Sequence, residues 1–213
     1  ALQSPKFANK ILFWNFNLNE NEMENARKPT ENFNPSAEIE IKPVKIKYDG
    51  ASGLRDLLLH ELKSMYYIEK VLVKAFPKMI KNACTFELIE AITIHVEDTK
   101  KQIIRIEDTF STMEENPILH RCEAIECMLQ EIDDIVEVTK FGIVRDAGIV
   151  LALQKIEHYE IATYSILATY AENLKEETIQ ILLEQSLNEE KIAELRLAKI
   201  ATSIQFYNEN PNS

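Results

Sequence analysis

From Leu54 to Ile204 apolar residues return three and four positions apart, and this spacing constrains the fold more than any other feature of the chain. Residues so spaced share one side of a 3.6-residue turn, so each run reads as a helix with a side to bury. The first run, over 54–81, carries Leu54, Leu58, Leu62, Met65, Leu72 and Phe76, and Pro77 inside it predicts a kink or an early end. The second starts near Thr85, carries Leu88, Ile92, Ile103, Ile106 and Phe110, and ends before Asn116-Pro117. A long connection holds a shorter helix over 122–138. Asp146 begins the third long helix, with Val150, Leu153, Tyr164 and Leu167 inward, and the fourth covers 176–204 with Leu183, Leu187, Leu197 and Ile200 inward. Only 4 glycines occur, and Leu, Ile, Ala, Glu and Lys dominate, as in long helices. The fold class is all-α: four long helices and one short crossover helix between the second and third.

Residues 1–50 are rich in Asn, Glu, Pro and Lys, keep no sustained period, and read as a flexible tail. The bundle then occupies 51–206, and 207–213 form a flexible end. Residues 39–48 alternate loosely, as a short strand would with a partner. The apolar run Ile11 to Trp14 is too short for a membrane span, is flanked by Asn9, Asn15 and Asn17, and precedes no small-residue cleavage site, so no signal peptide is expected. A net charge of −11 argues against nucleic acid and anionic membrane as partners and favours cations. Cys84, Cys122 and Cys127 are odd in number and form no Cys-x-x-Cys pair, which reads as reduced thiols and a cytoplasmic location.

Each apolar stripe is interrupted. In the first helix Glu69 stands between Met65 and Leu72; in the third, Glu157 and Glu160 stand between Leu153 and Tyr164. In the fourth, Glu190 follows Ser186 on the inner line, with Glu194 a turn further on. In the second, the line Leu88, Ile92, His95, Thr99, Gln102, Ile106 is polar at its centre, and Asp98 lies one turn from His95.

The interruptions share one depth. A turn near Cys84 puts Glu69 about 15 residues before it and Asp98 about 14 after, each roughly 22 Å from that end at ~1.5 Å per residue. A turn near Asn173 places Glu157 and Glu190 roughly 25 Å from the other end by the same rise. One layer near mid-bundle holds them all. Several carboxylates buried together repel and lose hydration, so such a layer needs a counter-charge. Carboxylates with an imidazole suit iron or manganese, and two such ions among four helices is the di-iron carboxylate arrangement. The candidate ligands are Glu69, His95, Asp98, Glu157, Glu160 and Glu190, with iron ahead of manganese. Taken singly, each has a plainer reading: Glu69 as a surface residue on a displaced stripe, His95 as a hydrogen-bonded core histidine. Glu61, Glu97, His158 and Glu194 stand as substitutes, and the Glu/Lys runs at 175–178 and 189–191 are mainly solvated faces.

These segments resemble the YciE/YciF ferritin-like family. The matching runs are Leu54-Arg55-Asp56-Leu57-Leu58-Leu59-His60-Glu61-Leu62, Tyr67-Ile68-Glu69-Lys70, His95-Val96-Glu97-Asp98-Thr99, Arg121-Cys122-Glu123-Ala124, Val144-Arg145-Asp146-Ala147-Gly148, Glu157-His158-Tyr159-Glu160-Ile161-Ala162 and Glu189-Glu190-Lys191, across residues 51–204. The resemblance implies a rubrerythrin-like four-helix fold, a homodimer, and a ferroxidase or stress-response role. The chain departs from the usual ferritin pattern, because His95 precedes Asp98 where ferritins place Glu before His, and the last helix has no histidine. The family shares this order, with Glu more common at the position of Asp98.

The expected function is therefore oxidation of Fe(II), or removal of peroxide, at two metal ions that react with oxygen or peroxide. Tyr66, Tyr67, Tyr159 and Tyr164 are candidates for electron transfer or for aromatic packing. The alternative is a non-catalytic structural or protein-interaction bundle with a vestigial metal site. A storage shell is a third reading. Ile125, Met128 and Ile132 on the crossover helix are expected to be exposed and to form a dimer seam under either of the first two.

Overall fold

The structure, a computed structural model, describes residues 53–204. The tail and end segments, the strand reading at 39–48 and the apolar run at 11–14 lie outside the described residues. Within them the chain forms helices α1 (Leu54–Asn82), α2 (Phe86–Thr112), α3 (Glu123–Val138), α4 (Ile143–Leu174) and α5 (Glu177–Ser203). Helices α1 and α2 form one antiparallel hairpin and α4 and α5 the other. The hairpins close into a four-helix bundle, α1 packing on α4 and α2 on α5. This is the ferritin-like arrangement, with α3 as the crossover lying against α4 and α1.

The stripes explain the packing. Leu58, Leu62, Met65, Leu72 and Phe76 of α1, Leu88, Ile92 and Ile106 of α2, Leu153 and Leu167 of α4, and Leu183 of α5 are all buried in one core. Pro77 does not end α1, which continues to Asn82. The proline is exposed, so the carbonyl its ring deprives of an N–H partner lies on the solvent side, where water can satisfy it.

Helix α4 begins three residues before the expected Asp146. Gly142 caps it at φ 145°, backbone that a side chain would strain. Asp146, buried in its first turn, reaches across to the start of α2. Its carboxylate accepts hydrogen bonds from the backbone N–H of Cys84 and of Thr85, both at 2.8 Å, and from the Thr85 hydroxyl at 2.6 Å. These satisfy donors that a helix start otherwise leaves orphaned, and α2 has no side-chain cap of its own.

The expected seam on α3 is corrected. Ile125 and Ile132 are 0% and 2% exposed, because α3 turns its apolar side onto its own bundle and Met128 packs beside them. The apolar stripe of the crossover helix covers the α1–α4 edge, so Ile125 and Ile132 are not exposed.

Candidate metal centre

Polar and charged residues that break the stripes meet inside the bundle. Glu69 on α1, His95, Thr99 and Gln102 on α2, Glu157 and Glu160 on α4, and Ser186 and Glu190 on α5 are each at most 4% exposed. One donor atom from each of His95, Glu157, Glu160 and Glu190 lies within 4.8 Å of the others. His95 Nε2 stands 3.3 Å from Glu157 Oε1 and 3.8 Å from Glu190 Oε2, yet neither ring nitrogen has a hydrogen bond. The ring packs against Phe76 in a T-shaped pair, at 5.0 Å between centroids.

Glu69 completes the layer from α1 but is not one of those four. One of its carboxylate oxygens accepts a hydrogen bond from the Tyr164 hydroxyl, and Oε2 is unpartnered. Gln102 donates its amide N–H to Glu190 Oε1, while its own Oε1 is unpartnered. At the edge of the layer, Arg105 donates to the Ser186 hydroxyl at 3.3 Å and forms a paired contact with Glu189 at 2.6 Å.

The electrostatics follow from burial. Loss of hydration pushes the carboxyls of Glu69, Glu157 and Glu160 well above the usual range, and the neighbouring Glu190 charge pushes them further. The Tyr164 phenol is raised as well, by burial first and then by the charge of Glu69.

Nine buried atoms of this layer have no hydrogen-bond partner, on Glu69, His95, Thr99, Gln102, Glu157, Glu160 and Glu190. At ~1–3 kcal/mol for each such group, the sum rivals the ~5–15 kcal/mol of an entire fold. A layer left this way is suited to cations that engage the lone pairs. Carboxylates with one imidazole fit iron, manganese or zinc.

Not every candidate joins. Asp98 is half-buried on the flank of α2 and pairs with Lys101 at 2.8 Å. Of the substitutes, Glu97 is exposed and paired with Lys100, His158 is exposed, and Glu61 and Glu194 are half-buried. Tyr164 touches the layer through Glu69. Tyr66 donates to Glu107 at 2.7 Å, Tyr67 to Glu126, and Tyr159 lies 3.4 Å from Cys122 Sγ. Sequence reasoning passed over Gln102 as a functional residue, although it lies on the same inner line as His95, because an uncharged amide carries no ligand signal.

Comparison with known proteins follows the same outline. Residues 53–208 match the family described as Domain of unknown function (DUF892). The chain is similar to Protein YciF of Escherichia coli (strain K12), 37% identical over 150 residues, which is 70% of this chain and 90% of that protein. Two solved structures resemble it. One is YcfI from Rhodopseudomonas palustris, provisionally described as a structural protein, with a TM-score of 0.68 at 36% identity over 74% of this chain and 98% of that one. The other is the E. coli stress protein YciF, with a TM-score of 0.68 at 34% identity over 71% and 96%. No helix among the described residues is long and apolar enough to cross a membrane.

Proposed function

The chain belongs to the YciE/YciF family, described as a domain of unknown function (DUF892), and on that footing we propose that it is a dinuclear metal protein that oxidises Fe(II) or consumes peroxide under stress. The observation that carries this reading is the mid-bundle layer itself, where all four long helices contribute buried groups whose lone pairs have no partner. Its charge fits two ions. Glu69, Glu157, Glu160 and Glu190 carry four negative charges when ionised, which two divalent cations neutralise. Glu157, Glu160, Glu190 and His95 would hold one ion, with Glu69 on the α1 side, and Asp98 would have to leave Lys101 to join them. Iron or manganese held there supplies the redox chemistry. The chain's residues fix the ligand positions, exclude bulk water and, through Tyr164, hold a proton on the phenol that faces Glu69.

A stress role is in keeping with YciF, described as a stress protein. The free Cys84, Cys122 and Cys127 are in keeping with a reducing, cytoplasmic compartment. A homodimer is the assembly we propose, to be read from size in solution.

The test is metal content of protein purified without added metal, then anaerobic Fe(II) loading and exposure to oxygen or peroxide while absorbance is followed. About two ions per chain with a rapid oxidation step is the expected result. Glu157→Ala should abolish stoichiometric binding; unchanged binding removes that residue from the site. A second reading, a structural bundle with a vestigial site, has the description of YcfI in its favour. It predicts a folded chain that neither retains nor binds metal.

A further inference from the structure

We propose that the two ion positions are chemically unequal: a tight position built on the His95 imidazole, and a weaker, all-oxygen position on the Glu69 side, controlled by Gln102. The inference rests on the preceding reading that the layer binds metal, and deepens it.

His95 is the only imidazole among the buried groups of the layer, so only one ion can have a nitrogen ligand. Its Nε2 converges with Glu157, Glu160 and Glu190, and that set of one nitrogen and three carboxylates favours a borderline transition metal. Everything left over is oxygen. Glu69 keeps Oε2 unpartnered, Gln102 keeps Oε1 unpartnered, and Glu160 has both oxygens unpartnered, enough to serve each position at once.

Position along α2 explains why Gln102 belongs to the second set. Seven residues return to nearly the same side of a helix, within ~20°, but stand ~10 Å further along its axis. Gln102 therefore faces the layer as His95 does, from the other end. A histidine or carboxylate there would give the second ion a strong ligand; a neutral amide gives a weak one. Gln102 and Glu69 are oriented by existing hydrogen bonds, from Gln102 Nε2 to Glu190 and from Tyr164 to Glu69 Oε1, which leave Gln102 Oε1 and Glu69 Oε2 unpartnered. Hard, oxygen-preferring cations such as Mn²⁺ suit such a set better than Zn²⁺ does.

The experiment titrates the full, chelator-stripped chain with Zn²⁺ by calorimetry, then adds Mn²⁺ to the one-equivalent Zn²⁺ protein and follows the Mn²⁺ resonance. Zn²⁺ is redox-inert, so nothing depends on turnover. The first equivalent is expected to bind at least about 100-fold more tightly than the second, and Mn²⁺ to fill the second position without releasing Zn²⁺. Gln102→His should tighten the second Zn²⁺ step by about 10-fold or more and narrow the gap between the two steps, with Gln102→Glu as the alternative should the histidine not fold. His95→Ala should remove the tight step and spare the weak one. Two equal Zn²⁺ steps, Mn²⁺ that displaces Zn²⁺, or a second step indifferent to position 102 would overturn the inequality while leaving metal binding intact. A chain that binds no Zn²⁺ at all would instead overturn the metal reading beneath it.

Discussion

His95 Nε2 stands 3.3 Å from Glu157 Oε1 in the bundle interior, close enough for a hydrogen bond, yet the two are not aligned to make one. A protonated carboxyl can occupy that interior; an ionised carboxylate needs a cation beside it. The stability of the metal-free chain should therefore depend on pH in an unusual direction. Glu69, Glu157 and Glu160 have folded pKa values raised above the ordinary 4.5, mainly through lost hydration. The folded state then binds more protons than the unfolded one between 4.5 and the raised values, so their contribution is fullest below 4.5 and fades as pH rises. In the presence of a chelator, the thermal midpoint should fall as pH is raised above the ordinary carboxyl value of 4.5. With metal bound the trend should flatten or reverse, because ligation requires the ionised carboxylates. A metal-free midpoint that rises over the same range would contradict this electrostatic picture.

Glu160 separates stability from metal binding. Both of its oxygens are buried and unpartnered, so in the metal-free chain at neutral pH it is a cost. Glu160→Gln keeps the shape and removes the charge. Urea unfolding of the metal-free variant at neutral pH should show a gain of about 1–3 kcal/mol over the parent chain, because the amide, though still a buried polar group, has no charge to strip of water or to neutralise by taking up a proton. Its metal affinity should fall about 100-fold, since a neutral amide replaces a carboxylate ligand. A variant less stable than the parent in the metal-free state would mean that Glu160 has a structural partner in solution.

Asp146 is a buried carboxylate of another kind, because two backbone N–H groups and a hydroxyl converge on it. Asp146→Ala would leave the start of α2 uncapped and orphan donors inside the protein. The expected loss is about 2–4 kcal/mol in chemical denaturation, with metal stoichiometry unchanged in the folded fraction. Asp146→Asn retains an acceptor and should lose less. Equal losses in the two variants would show that charge, not capping, is what matters there.

The helices are legible in the sequence because their stripes are long and their ends carry ordinary signals. The start of α4 is three residues off because Gly142, whose φ of 145° sets the cap, gives no periodic signal. Asp98 and Gln102 show where legibility of the candidate site stops. Counted from His95 at ~100° per residue, Asp98 falls ~60° to one side, where Lys101 reaches it, and Gln102 returns within ~20° of the same direction. A search for charged residues prefers the first, whereas packing directs the second inward. Ile125 and Ile132 fail for a related reason: periodicity identifies the apolar side of α3 but not which surface covers it.

The crossover offers a test of packing alone. Gly148 of α4 faces Ile135 of α3, and a Cβ built at Gly148 would lie 2.6 Å from Ile135 Cγ2. That is inside van der Waals contact, so Gly148→Ala must push α3 away or force the isoleucine off its rotamer, at a cost of about 1–3 kcal/mol. The substitution also places a better helix former in α4, worth up to ~1 kcal/mol in the other direction. The clash should win because Ile135 is packed against the core and branched at the atom in question. The double variant Gly148→Ala with Ile135→Ala removes the obstructing methyl, so the second change should cost less in the alanine background than alone. A double-mutant cycle by urea denaturation reads this coupling directly, and additivity of the two changes would mean that α3 already moves freely enough on α4 to absorb a methyl group.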